Sequence, residues 1–136
     1  MRIIYRISDA GYSKVKPDYV TNEACLANAV KVFDDCEWSI IADNVSKETS
    51  DMIEKYKSKD HILYVNKGNG AATFNIALDE ALQMDDNDTV YFLENDYLHK
   101  PNSRAIMEEG FTLGAQFVSL YDHPDKYIGP EQGGNT

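Results

Sequence analysis

A short run of β-forming residues followed by apolar positions at helical spacing recurs along the chain. Arg2-Ile3-Ile4-Tyr5-Arg6-Ile7 predicts a first strand, ending in the turn composition Ser8-Asp9-Ala10-Gly11. A long loop through Pro17 follows. Cys25, Ala29, Val32, Phe33 and Cys36 then recur at helical spacing, with Thr21 or Asn22 as the cap. Trp38 to Ala42 predicts a second strand that stops at Asp43-Asn44. Val45, Thr49, Met52, Ile53 and Tyr56 give the apolar stripe of a second helix, capped by Ser46. His61 to Val65 predicts a third strand, and Asn66-Lys67-Gly68-Asn69-Gly70 a glycine-containing loop after it. Ala71, Phe74, Leu78, Ala81 and Leu82 mark a third helix, closed by the polar turn Asp85 to Asp88. Thr89 to Leu93 is the fourth strand. As the most continuous apolar run it suits a central parallel position covered on both faces. Pro101 opens a fourth helix, with Ile106, Met107 and Phe111 inward and an end near Gly114. Gln116 to Tyr121 predicts a fifth strand.

Strands alternating with helices predict an α/β fold with a mainly parallel sheet and right-handed crossovers. Ligands of such sheets bind beyond the carboxyl ends of the strands. Ser8-Asp9, Asp43-Asn44, Asn66-Lys67 and Glu94-Asn95-Asp96 all fall at that edge. The pattern predicts one domain over residues 1–128. Residues 129–136, with three glycines and one proline, read as a loose tail or a cut end.

Composition narrows the partners. The 136 residues are 43% hydrophobic and 11% aromatic, enough to bury the core of one domain. Thirteen basic residues face 23 acidic ones, a formal net charge of -10. A surface this acidic opposes nucleic acid and anionic membranes. A nucleotide remains admissible where a divalent cation screens its diphosphate. No apolar run approaches the roughly 18 residues of a membrane span. Met1 to Asp9 lacks the apolar segment and cleavage site of a signal peptide, which predicts a cytoplasmic location. On one helix, Cys25 and Cys36 would stand about 16 Å apart, too far for a disulfide.

Glu94-Asn95-Asp96 carries the most chemistry. Alternation along an extended chain sends residues 94 and 96 to one side. Two carboxylates there make a hard oxygen site for magnesium or manganese, with substrate phosphates completing the shell. An isolated acid-x-acid triplet more often ends a strand in water. Asp43-Asn44 can accept hydrogen bonds from a base or ribose, or form an Asx turn that starts the next helix. Lys67 can neutralise a phosphate or be simply solvated. No Walker spacing and no complete dinucleotide fingerprint surrounds it. His61 reads as structural. His99 and His123 reach the same edge, although single histidines outside a cluster are rarely metal ligands.

Taken in order, the segments that follow resemble family 2 glycosyltransferases of the GT-A fold. Ile40-Ile41-Ala42-Asp43-Asn44-Val45-Ser46-Lys47-Glu48-Thr49 is similar to that family's second strand and its Asp-Asp-x-Ser-x-x-Thr continuation. Asn66-Lys67-Gly68, Ala72 and Asn75-Ile76-Ala77-Leu78 resemble its Asn-x-Gly…Ala-Arg-Asn-x-Gly-Leu segment. Tyr91 to Asp96 with Pro101 resembles the strand ending in the DXD motif. The resemblance covers about residues 2 to 121 and implies a three-layer α/β/α sandwich of Rossmann-like, nucleotide-diphospho-sugar transferase type. It also implies a UDP- or GDP-linked sugar donor and an inverting transfer to an acceptor. Asp43 would contact the base, and Ser8 and Asp9 would wrap it. Asn44 and Lys67 would line the donor site. Glu94 and Asn95 would lie near the ribose and diphosphate. Asp96, with Glu94, would bind Mn2+ or Mg2+ to stabilise the departing nucleoside diphosphate.

The sequence departs from that pattern at named positions. Arg6-Ile7-Ser8-Asp9 replaces the usual Pro-Thr-Tyr-Asn, Phe74 stands where an arginine is usual, and Glu94 replaces the first aspartate. Family members continue past the fifth strand into an acceptor-binding portion that supplies a carboxylate base. Asp122 and Asp125 are the carboxylates on offer after Tyr121. Two other classes therefore compete: a non-catalytic nucleotide-sugar binding module, and a nucleotidyltransferase-type phosphate enzyme, whose lysine-containing glycine loop after the first strand is missing. A lost acceptor half would leave apolar surface that favours a homo-oligomer.

Overall fold

The computed structural model describes residues 1–10, 16–121 and 127–128. Gly11, Asp122, His123, Asp125 and the tail 129–136 lie outside the described residues. Two compact units make up the chain, Met1–His99 and Lys100–Thr136. The first runs β1 (Arg2–Ser8), α1 (Asn22–Val32), β2 (Glu37–Asp43), α2 (Lys47–Tyr56), a 3-10 turn (Lys59–His61), β3 (Ile62–Val65), α3 (Gly70–Ala81) and β4 (Val90–Glu94). The second holds α4 (Ser103–Thr112).

The chain is an α/β protein. Its four strands form one all-parallel sheet in the order β3-β2-β1-β4. A parallel ladder needs a long crossover between its strands, and the helices supply it. Alternation divides the residues of β1 between two faces. Ile4 forms a buried cluster with Ile41 and with Ala77 of α3, flanked by Val65, Ile76, Ala81, Val90 and Phe92. Tyr5 faces the other way and meets Trp38 at 6.2 Å between ring centroids. The Trp38 indole donates to the Phe33 carbonyl at 3.0 Å, just past α1. Lys57, just past α2, lies 4.7 Å over the same ring.

Short polar side chains start the first three helices by satisfying amides that have no partner within the helix. Thr21 Oγ1 accepts from Ala24 N at 3.1 Å, and Ser46 Oγ from Thr49 N at 3.1 Å. Asn69 Oδ1 accepts from Ala71 N at 2.8 Å and Ala72 N at 3.3 Å. Helix α1 stops at Val32, so Cys36 lies beyond it rather than on it. Neither Cys25 nor Cys36 is in a disulfide.

Two expectations about strands are corrected. The apolar run of β4 predicts a central strand, yet among the described residues β4 is an edge that pairs with β1 alone. Only Leu93 in it is buried. The interior positions belong to β1 and β2. The arginines at 2 and 6 make β1 look less buried in sequence than it is. Gln116–Tyr121 is irregular rather than a fifth strand. It has no ladder partner among the described residues, and Phe117 is 92% exposed. An apolar run becomes a strand only where a neighbour satisfies its backbone groups. Instead, Val118 presses on α4, where a Cβ at Gly110 would meet Val118 Cγ2 at 2.8 Å. Among the described residues no helix is long and apolar enough to cross a membrane.

Candidate functional site at the carboxyl edge

The strand registers assemble the site. Ser8 is level with Asp43, Asp43 with Val65, and Arg6 with Glu94. Because every strand runs the same way, the four polar clusters emerge at one edge.

Asp43 and its loop come first. Its side chain is buried, 5% exposed. Oδ1 accepts from Lys67 N at 2.6 Å and Oδ2 from Gly68 N at 2.9 Å. Asn44 Nδ2 also donates to Oδ1, at 3.1 Å. Asp43 thus holds the β3–α3 loop, with neither oxygen left without a partner. Asn44 has φ 50°, a left-handed conformation that asparagine tolerates. Gly68 has φ 60°, and a Cβ there would lie 3.4 Å from Asn44 Nδ2. Lys67 is exposed.

Asp9 turns toward α2. Its carboxylate accepts from the Ser46 backbone and from Thr49 Oγ1, the latter at 2.7 Å. Partial burial pushes its pKa up, but these hydrogen bonds outweigh burial and leave it below the usual aspartate range. The contribution is therefore present above the ordinary aspartate value and lost as pH falls toward the lowered one. Asp9→Ala is expected to cost about 0.5–1 kcal/mol at neutral pH, after screening by solvent. Urea melts at pH 7 and pH 3 check this, with the difference between variant and parent narrowing at pH 3. Ser8 Oγ accepts from Ala10 N at 3.1 Å and shapes the same turn. Asn95 Nδ2 donates to the Ser8 carbonyl at 3.2 Å and to Asn22 Oδ1 at 2.6 Å. Asn95 therefore ties the end of β4 to the end of β1 and the start of α1.

The two acids of the triplet behave differently. The strand stops at Glu94, and Asn95-Asp96 form a turn. The alternation that would send both acids to one side stops with it. Glu94 pairs with Arg6 Nη2, and Asp96 Oδ2 lies 4.0 Å from Lys16 Nζ. Arg6 Nη1 also donates to the Gly70 carbonyl at 2.8 Å and to Thr73 Oγ1 at 3.3 Å. Its guanidinium lies 5.1 Å over the Phe74 ring. Both acids and both cations line one cleft of about 110 Å³, with Ser8, Gly70, Thr73 and Asn95. That volume suits an ion with a phosphate group. It is small beside the roughly 300 Å³ at which pockets for whole small molecules begin.

Two hard carboxylates in one cleft fit magnesium or manganese, which take one or two protein carboxylates and otherwise water or phosphate. Among the described residues no group of three or more acids, histidines or cysteines gathers. The fit therefore rests on this pair and on phosphate oxygens. A larger hollow of about 700 Å³ lies at the amino edge, lined by Arg2, Glu37, Trp38, His61 and Glu80 among others. Size alone favours it. Ligands of parallel sheets nevertheless sit at the carboxyl ends, and there the loops, not the strand starts, supply the chemistry.

His99 stays apart from the cleft. Nε2 lies 2.9 Å from Tyr91 Oη and Nδ1 lies 3.3 Å from Asn28 Oδ1. One neutral tautomer satisfies both, Nδ1–H donating to Asn28 and Nε2 accepting from Tyr91. Asn28 also bonds the His99 backbone twice, at 2.6 and 3.0 Å. Burial pushes the imidazole pKa down and the Tyr91 phenol up to about 12. Stability from neutral His99 is complete above the ordinary histidine value, about 6.5. It is lost as pH falls through that value toward the lowered one. The melting temperature of the parent is expected to drop between pH 7.5 and pH 5 by more than that of His99→Gln. Equal drops would contradict this.

The sequence pattern does not mark Arg6, Lys16 or Thr73 as residues of the cleft. The one usable signal was Arg6, a charge inside an otherwise apolar strand. No protein-family model matches the chain, and comparison with curated proteins and with solved structures finds no match.

Proposed function

We propose that the carboxyl edge binds the diphosphate of a nucleotide sugar through a divalent cation, as the donor-binding part of a metal-dependent glycosyltransferase. The observation that supports this most is the cleft where Glu94 and Asp96, each with a cationic partner, meet the ends of β1 and β4. Glu94 and Asp96 would hold Mn2+ or Mg2+, which supplies charge stabilisation for the departing nucleoside diphosphate. Arg6 and Lys16 bring positive charge to the same cleft. Asp43 fixes the Lys67-Gly68 loop that leads to Gly70 of the cleft. Ser8, Asp9, Asn44 and Asn95 shape the turns where the nucleoside would lie. The three-layer sandwich of the nucleotide-diphospho-sugar transferase type is the finer fold class that this reading adopts. The parallel sheet, with α3 packed on one face of β1 and β2 and residues just past α1 and α2 meeting Trp38 on the other, supports it.

Calorimetry with UDP and GDP, with and without manganese, tests the reading. Manganese-dependent binding of one of them is expected. No binding under either condition overturns it. Release of free sugar from UDP- or GDP-linked donors then separates an enzyme from a binding module.

A further inference from the structure

Arg6 pairs its guanidinium with Glu94, one of the two carboxylates of the site proposed above. Arg6 is anchored on three sides, by Gly70, Thr73 and the face of Phe74. Its side chain is only 15% exposed, whereas that of Glu94 is 50% exposed. Arg6 Nε is buried without a hydrogen-bond partner among the described residues. Guanidinium offers five donors in a fixed fork, matched to carboxylate and phosphate alike. The anchored group cannot follow Glu94 if that carboxylate turns toward a cation. A half-exposed carboxylate held by one such pair is easily exchanged.

We propose that Arg6 couples cation uptake to diphosphate uptake by exchanging partners. Without ligand, Nη2 holds Glu94. When a nucleoside diphosphate enters, its phosphate oxygens take over Nη2, and Glu94 is released to the cation. Each ligand then favours the other, and the coupling is reciprocal by linkage. Arg6 is a positioning residue for Glu94 and a direct contact for the phosphate. The inference rests on the donor site proposed above and adds its regulation.

The test is manganese binding followed by electron paramagnetic resonance, alone and with UDP or GDP, for the parent, Arg6→Gln and Glu94→Gln. In the parent, saturating nucleotide is expected to tighten manganese binding by about tenfold. In Arg6→Gln, manganese alone is expected to bind about threefold tighter, and the coupling to fall below about threefold. Glu94→Gln retains the anchors of Arg6 and removes its exposed partner, so it decides the matter if Arg6→Gln does not fold. It is expected to bind nucleotide without metal about threefold more tightly than the parent. Glu37→Gln, the same charge change at the opposite edge, is expected to leave that affinity within about twofold. Nucleotide and metal binding with undiminished coupling in Arg6→Gln, or Glu94→Gln behaving like Glu37→Gln, overturns the exchange and leaves the donor site standing. A parent that binds no nucleotide overturns the donor site itself.

Discussion

Asp43→Ala is expected to destabilise the first unit by about 3–5 kcal/mol and to abolish nucleotide binding. The carboxylate is buried and accepts from two backbone amides, Lys67 N and Gly68 N. A hydrogen bond to a charged group contributes about 1.5–3 kcal/mol, and alanine removes both backbone ones, leaving those amides unpaired, along with the bond from Asn44 Nδ2. The loss falls on the loop that enters α3, where Gly68 already uses a left-handed conformation. Freed from Asp43, that loop no longer holds the start of α3, whose Gly70 lines the cleft. Asp43→Asn separates the two effects. An amide has one oxygen, so it keeps one of the two bonds and turns a donor toward the other amide. Its stability is expected to fall between those of parent and alanine variant. Denaturant melts of the three proteins check the order. Equal stability of all three would show that the loop holds itself.

Asp96→Ala is expected to have the opposite profile. The residue is exposed, and its cationic neighbour Lys16 stands at 4.0 Å, so folding loses little. Removing one negative charge from a chain of net -10 relieves some self-repulsion. Stability is therefore expected to stay within about 0.5 kcal/mol of the parent. Manganese-dependent affinity for the nucleoside diphosphate is expected to fall by about 100-fold, the scale of losing a metal ligand in a site with only two. Metal-free nucleotide affinity should not fall. Unchanged manganese dependence in a folded Asp96→Ala protein would remove the metal role from this residue.

The fold was legible wherever period and punctuation agreed. The apolar stripe of α2 and its Ser46 cap coincide with the observed helix, because the cap chemistry is local. The parallel sheet and the gathering of the polar clusters at one of its edges followed from the strand-helix alternation alone. What failed depends on neighbours. Thr89–Leu93 reads as central because apolar runs record burial, yet a strand's place in the sheet is set by its pairing. Gln116–Tyr121 reads as a strand for the same reason and finds no ladder among the described residues. Cys36 continues the helical spacing of α1, but the chain has already turned at Asp34-Asp35.

The site was legible as a set of positions and opaque as a set of partners. Ser8, Asp43, Lys67 and Glu94 were placed at one edge by counting to the strand ends. That Asp43 binds the loop amides of Lys67 and Gly68, and Asp9 the start of α2, is a matter of contacts across 24 or more residues. The Arg6–Glu94 pair spans 88 residues and arises only from the β1–β4 register. It changes the meaning of the triplet. Glu94, 50% exposed, is tied to an anchored guanidinium, whereas Asp96, 39% exposed, stands 4.0 Å from the Lys16 ammonium.

Paramagnetic broadening by manganese tests the central claim most directly. In the presence of UDP or GDP, amide resonances of Ser8, Lys67, Gly70 and Asn95 at the carboxyl edge are expected to vanish at substoichiometric manganese. Those of Trp38, Ser39 and His61 at the amino edge are expected to persist. Broadening confined to the amino edge, or spread evenly over the acidic surface, would contradict a cation–diphosphate site at Glu94 and Asp96.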